Sequence, residues 1–427
     1  MLSAEKNDSV RIFKPKIVED GNEVCVSARV EVNSSRTELP DELWFRFPIS
    51  CNNYVSDHLN GFAVALLPLA MTLDENLHME GVLSPHLLKG MEEYQRIQCA
   101  WKPTSYKPVS IDQDQLQAAE VGPLGPGVGS SFSGGVDSLH TLWRHLPENE
   151  PIRKYRISHC LMINGFDADS DIENEGHFSR IQKAIEPMMV SHDLELIVCR
   201  TNYMSFSDPN ILKQSFGAMV TVPALILGRL FSCFFVPSSY RFDEFFRDGS
   251  HLLLDHLIST ESMETIHDSS HLNRPEKTAI VANWSATHSK LRVCFNSTGF
   301  REDTGSIMNC CKCEKCVRTM KTLEILGKLD KYTTFSKIPS QLDVWKCYFG
   351  KRGGMIHGRE VMSQAWKAGR LDIWVDYCIA IAVSFVTKIP RELIQRAHLF
   401  LEERSEFYAV NIRRLFPRLR RRARWIR

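Results

Sequence analysis

The run Ser133-Gly134-Gly135-Val136-Asp137-Ser138 constrains the fold of this chain more than any other. A short strand-like stretch precedes it, and a helical pattern over 139–146 follows. Two adjacent glycines accept φ > 0 and let a backbone approach a ligand closely. The amides after them open a helix, where unpaired N–H groups and the helix dipole favour anionic oxygens. Ser133 and Ser138 add hydroxyl donors, and Asp137 is placed to hold Mg²⁺ or to orient a nucleotide. As a loop carboxylate, Asp137 is expected to be exposed and to contribute little to packing. No GxxxxGK[ST] sequence is present, which excludes a lysine-based loop around a γ-phosphate. The plainer alternative is a Gly-Gly turn that merely starts a helix; the strand–helix setting favours phosphate binding.

Strand and helix patterns alternate after this loop: strands over 157–163, 194–199 and 233–236, helices over about 173–191 and 217–229. Such alternation predicts an α/β fold, a doubly wound parallel sheet with ligands at the carboxyl ends of its strands. Upstream, residues 1–118 show strand-like alternation, as in Val24-Cys25-Val26 and Leu43-Trp44-Phe45, with a helical pattern near 61–71. They read as a β-rich, mixed α/β N-terminal domain, separated from the rest by the Gly/Pro-rich joint at 121–128. The nucleotide domain then spans 119–325, and a helical extension spans 326–427, with helices over 372–385 and 391–407.

Thirteen cysteines, an odd number, do not form a secreted disulfide framework. Cys25, Cys160, Cys199 and Cys233 sit in apolar strand-like runs and read as small buried hydrophobes. Five others crowd between Cys294 and Cys316. Cys310-x2-Cys313-x2-Cys316 has zinc-knuckle spacing, and Cys294 is the natural fourth ligand. Four thiolates satisfy tetrahedral Zn²⁺ and leave no open position for water, so the metal is structural rather than hydrolytic. Cys311 should point away. An iron–sulfur cluster is the competing occupant, and a redox pair is a third choice.

The loop Ser133–Ser138 resembles the pyrophosphatase loop of the PP-loop ATPases. Together with Cys294 and Cys310-x2-Cys313-x2-Cys316, it is similar to the QueC branch of that superfamily, the 7-cyano-7-deazaguanine synthases and their relatives. The resemblance covers residues 125–325. It implies an adenine-nucleotide α-hydrolase-like fold that binds ATP and Mg²⁺ through Ser133, Gly134, Gly135, Val136, Asp137 and Ser138. It also implies adenine contacts at Ile163 and Asn164. The implied activity is ligase chemistry: a carboxylate such as that of 7-carboxy-7-deazaguanine is adenylated, pyrophosphate leaves, and a nitrogen nucleophile displaces AMP. Long QueC-like proteins of antiviral (antiphage) defence clusters extend this to an amine of a partner protein encoded alongside. This chain departs from the short synthases in its N- and C-terminal additions and in the fifteen residues between Cys294 and Cys310.

Other residues are weaker candidates. Arg274 and Lys277, three apart at a helix start, share one face and are placed to stabilise departing pyrophosphate; a solvated helix start is the alternative. Gly249-Ser250-His251, Asp255 and Ser259-Thr260-Glu261 either read a substrate or form a capped loop, and His251 alone suits packing or capping. Thr201-Asn202 ends a strand and is expected to face the crevice. Eight arginines and no acid lie in residues 411–427, although the net charge of the whole chain is +1. That tail is either solvated or contacts nucleic acid, an anionic membrane surface or another acidic partner. The polar start and the absence of a clean apolar span point to a soluble, cytoplasmic protein; residues 216–236, broken by Pro223 and Arg229, read as a buried helix and strand. The rival functions are a tRNA-modifying enzyme using Cys199 as its catalytic thiol and a non-catalytic nucleotide-binding scaffold.

Overall fold

The computed structural model describes residues 9–33, 39–119, 127–166, 175–244, 247–294, 299–301, 303 and 305–403, with side chains in the last helix described to Thr387. The chain forms two compact units, Met1–Ile338 and Pro339–Arg427.

The first unit opens with strands β1 (Ser9–Ile12), β2 (Lys16–Asp20), β3 (Glu23–Val32) and β4 (Glu42–Pro48). Alternation governs them: Leu43, Phe45 and Phe47 of β4 are buried, while the residues between them are partly exposed. Helix α1 (Asn60–Leu73) is apolar on all sides and buried from Asn60 to Met71. Strand β5 (Asn76–Leu83), helix α2 (Pro85–Trp101) and strand β6 (Ile111–Leu116) follow. Ser84 caps α2 by accepting the Leu87 amide.

Then come β7 (Gly127–Ser131), α3 (Val136–Arg144), β8 (His159–Asn164), α4 (Glu175–Ser191), β9 (Glu195–Thr201), α5 (Pro209–Ile226), β10 (Phe231–Pro237), β11 (Glu264–Asp268) and α6 (Arg274–Asn283). The apolar run at 216–236 thus divides into a buried helix and a strand, as its Pro and Arg predict. Strands β7 to β11 are parallel and lie in the order β9-β8-β7-β10-β11. The order reverses at β7, so a crevice opens between the carboxyl ends of β7 and β10. Side chains alternate between two cores: Leu161, Phe234 and Val236 pack with α1 and α5, and Cys160, Met162 and Phe235 with α3 and α4.

The first 118 residues do not form a separate domain. Strand β4 pairs antiparallel with β9, so the parallel strands continue through β4, β3, β1, β5 and β6 into one mixed sheet of eleven strands, with β2 on β3. Asn202 stitches the junction: its Oδ1 accepts the Trp44 amide at 2.9 Å and its Nδ2 donates to the Glu42 carbonyl at 2.8 Å. Arg200 pairs with Glu23 beside it. Asn202 is therefore a structural stitch and not a crevice residue. A small hairpin, β12 (Gly299–Arg301) with β13 (Ser306–Met308), and helix α7 (Glu314–Ile325) complete this unit's regular elements among the described residues.

The second unit is helical, as expected, but begins at Pro339 rather than 326. It holds α8 (Gln341–Trp345), α9 (Arg352–Lys367) and α10 (Leu371–Glu403). The two helices expected over 372–385 and 391–407 fall in the single α10, residues 404–407 lying outside the described residues. Trp345 Nε1 donates to Asp376 at 3.0 Å, joining α8 to α10. The arginine tail also lies outside the described residues. No helix among the described residues is long and apolar enough to cross a membrane.

Candidate active site and metal centre

The loop after β7 is braced by its own serines. Ser133 N–H donates to Ser138 Oγ (3.3 Å), Ser138 Oγ donates to the Gly135 carbonyl (3.1 Å), and Gly135 N–H donates to Ser133 Oγ (3.3 Å). Gly134 has φ +73°, which its lack of a Cβ makes inexpensive. Gly135 is the N-cap of α3 and has no side chain to satisfy the first amides, which leaves them available to an anion. The far end of α3 is fastened to β11, since Asp268 accepts Thr141 Oγ1 and Arg144 Nη1, each at 2.8 Å. The loop is thereby held between two fixed points.

Asp137 meets both cations of α6. Arg274 binds its two oxygens, one through Nε at 3.3 Å, and Lys277 Nζ lies 3.9 Å from Oδ1. Burial alone raises the pKa of this carboxyl, but the charges of Arg274 and Lys277 outweigh it and hold Asp137 below its ordinary range. Asp137 is thus not the exposed loop carboxylate expected. Lys277 is only 1% exposed and donates to the Ser238 carbonyl (2.7 Å) and Oγ (2.8 Å). It lies beside Asp137 and is not among the residues that line the crevice, unlike the exposed helix start expected. Arg274 does line the crevice. The acid between them is spent on a capping box, Asn273 with Glu276, that starts α6.

His140, also on α3, is buried, and its Nδ1 has no hydrogen-bond partner among the described residues. Burial first, and the Lys277 charge second, push its pKa down from 6.5 to about 4. The unfolded chain takes up this proton near 6.5 and the folded chain only near 4. Stability is therefore full above pH 6.5 and falls as the pH drops towards 4, by about 1.4 kcal/mol per pH unit. Urea unfolding compared at about pH 7.5 and about pH 5 should show this acid loss shrink in His140→Leu.

The crevice encloses about 380 Å³, within the roughly 300–1,000 Å³ of small-molecule sites. Ser133, Gly135, Val136, Asp137 and Ser138 line it, as does Ile163, whereas Asn164 is buried off its wall. Its lining combines the apolar Phe166, Phe178, Phe216 and Val236 with the cationic Arg274, Arg292, Lys315 and Arg318. The last three are absent from the sequence reading. A signal existed: Lys315 and Arg318 are three apart in a helix starting at Cys313, and Arg292 precedes Cys294 by two.

Cys294, Cys310, Cys313 and Cys316 come together, with all four Sγ atoms within 4.8 Å of one another. A tetrahedral ion with Zn–S bonds near 2.3 Å needs sulfurs ~3.8 Å apart. Cys310–Cys316 measures 3.8 Å and Cys313–Cys294 3.7 Å, so the donor set fits one such ion. A cluster of several irons needs its thiolates farther apart. Hydrogen bonds from the Cys294, Cys313 and Cys316 thiols hold Cys310 well below the usual thiol range. The Cys313 amide also donates to Cys310 Sγ at 3.4 Å. Cys311, at φ +56°, turns away and contacts the Asn309 carbonyl.

Residues 249–261 do not line the crevice. Asp255, fully buried, accepts Ser250 Oγ (2.8 Å) and pairs with His267 Nδ1 (2.7 Å). His251 Nδ1 accepts the Leu253 amide within its own turn, and its ring packs edge-on against Trp101. Glu261 accepts Ser84 Oγ and the His86 and Ala119 amides, so it supports the start of α2. Cys199 is fully buried, and burial raises its pKa well above the ordinary value, which leaves no exposed thiolate there. The chain matches no protein family, no curated protein and no solved structure.

Proposed function

We propose that the chain is an ATP-dependent carbon–nitrogen ligase that adenylates a carboxylate and transfers the acyl group to nitrogen. The observation that carries this reading is the uncapped start of α3 and its Gly-Gly loop, set at the reversal of a parallel sheet and facing Arg274. Phosphate oxygens of ATP bind the first amides of α3 and the Ser133 and Ser138 hydroxyls. An oxygen of the substrate carboxylate attacks the α-phosphorus, and the bond to the β-phosphate bridging oxygen breaks with its electrons leaving on pyrophosphate. Arg274 stabilises that charge. The nitrogen nucleophile then attacks the acyl carbon, loses a proton to solvent, and AMP departs with the acyl C–O electrons. Holding carboxylate and phosphorus in line supplies most of the rate, ~7–11 kcal/mol, without a side-chain nucleophile.

Asp137, now held by Arg274, would be the residue to hold Mg²⁺ brought by the nucleotide, where the ion would offset phosphate charge. Zn²⁺ in the cysteine tetrad is structural. The apolar lining suits a flat heteroaromatic acid, and the resemblance to the QueC branch makes 7-carboxy-7-deazaguanine the substrate to try first. Ammonia, or an amine of a partner protein in a defence setting, is the acceptor. Thirteen cysteines without a disulfide suit a reducing, cytoplasmic setting, and the arginine tail suits an acidic partner. The test is incubation with ATP and 7-carboxy-7-deazaguanine, with and without ammonia. AMP and pyrophosphate in equal amounts, formed without tRNA, are expected. Turnover that requires tRNA supports the tRNA-modifying reading, and no turnover supports the scaffold.

A further inference from the structure

Arg318 is the least explained charged group in the crevice. It is 6% exposed, it lines the crevice, and its Nε has no hydrogen-bond partner among the described residues. Its Nη1 is held by Glu314 one turn back at 3.0 Å. A buried guanidinium donor left unsatisfied is costly. Four cations line this crevice, and Asp137, already engaged with Arg274, is the one carboxylate among the lining residues.

The same residues are tied to the cysteine tetrad. Lys315 lies between Cys313 and Cys316, Arg318 two residues after Cys316, and Arg292 two residues before Cys294. Arg292 N–H also donates to the Gly134 carbonyl at 2.8 Å, so the Cys294 segment holds the phosphate loop directly. Any ion bound by the four thiolates therefore fixes the start of α7 and the loop in one arrangement.

We propose that Arg318, with Lys315 and Arg292, forms a second oxyanion subsite in the crevice, mounted on the cysteine tetrad. This rests on the ligase reading above. The ligand group is a carboxylate or a phosphate oxygen, for which the part of the Arg318 guanidinium that Glu314 does not hold offers charge-assisted donors. Its source is either the acyl substrate or the nucleotide. Because Arg318 is anchored by Glu314, the subsite is preformed and does not depend on a loop closing.

The test is calorimetric titration of the full-length chain with inorganic pyrophosphate, with ATP and with 7-carboxy-7-deazaguanine, for wild type, Arg318→Gln and Arg318→Lys. Loss of a charged hydrogen bond should weaken at least one probe by about 10- to 100-fold in Arg318→Gln. Arg318→Lys keeps the charge without the Nε donor and should fall between. Weakening of pyrophosphate and ATP assigns the subsite to the nucleotide, and weakening of the carboxylate probe assigns it to the acyl substrate. Unchanged affinity for all three probes in Arg318→Gln with a wild-type melting temperature overturns the subsite. Should that variant fail to fold, affinities within about twofold of wild type in Arg318→Lys overturn it instead. Arg318-dependent binding without AMP formation keeps the subsite and removes the ligase reading. AMP formation with binding indifferent to Arg318 does the reverse, and a wild-type chain that binds none of the probes removes both.

Discussion

Asp137→Ala abolishes AMP formation and also destabilises the first unit, by about 3–5 kcal/mol. The Asp137 side chain is 19% exposed, bound by Arg274 and 3.9 Å from a Lys277 that is itself enclosed. Removing the carboxylate leaves two cations in a poorly solvated place without an anion between them. Thermal unfolding and an AMP assay, run on the same preparation, check both parts. Because deleting both members of a buried pair is nearly neutral, Asp137→Asn combined with Arg274→Met should recover much of the melting temperature and none of the activity. An Asp137→Ala protein that melts like wild type shows that this carboxylate does not hold the α6 cations.

Cys313→Ser loses the metal and lowers the melting temperature by about 10 °C or more. The purified chain should carry about one zinc per molecule by elemental analysis. The size of the effect follows from what the four sulfurs join. Cys294 lies at the end of the segment that holds Gly134, and Cys313 and Cys316 lie at the start of α7. One ion therefore links stretches that, among the described residues, share few backbone hydrogen bonds. Several irons with inorganic sulfide in place of one zinc contradict the single-ion geometry.

The loop and the tetrad were legible because their chemistry is local. Adjacent glycines before Asp137, and cysteines spaced by two, restrict the backbone whatever the rest of the chain does. Strand alternation likewise marked β3 and β4 as strands, but alternation says nothing about which edge a strand joins. The pairing of Phe45 with Thr201 is a contact across about 150 residues of sequence, and only the fold reveals it. That is why Asn202, at a strand end where ligands usually sit, serves the Trp44 backbone with its amide instead of facing the crevice. Lys277 misleads for a related reason: a lysine in the first turn of a helix is usually solvated, and this one is buried by the Ser238 turn after β10. Arg318 was within reach of sequence reasoning, because a helix beginning at Cys313 places it on the face of Lys315.

The most direct measurement follows the oxygen of the substrate. With 7-carboxy-7-deazaguanine labelled with oxygen-18 in its carboxylate, attack on the α-phosphorus leaves one labelled oxygen in AMP after the nitrogen nucleophile has displaced it. Mass spectrometry of the AMP should show that single label, with unlabelled pyrophosphate. Label in inorganic phosphate with ADP as co-product, or AMP carrying no label, contradicts carboxylate adenylation in this crevice.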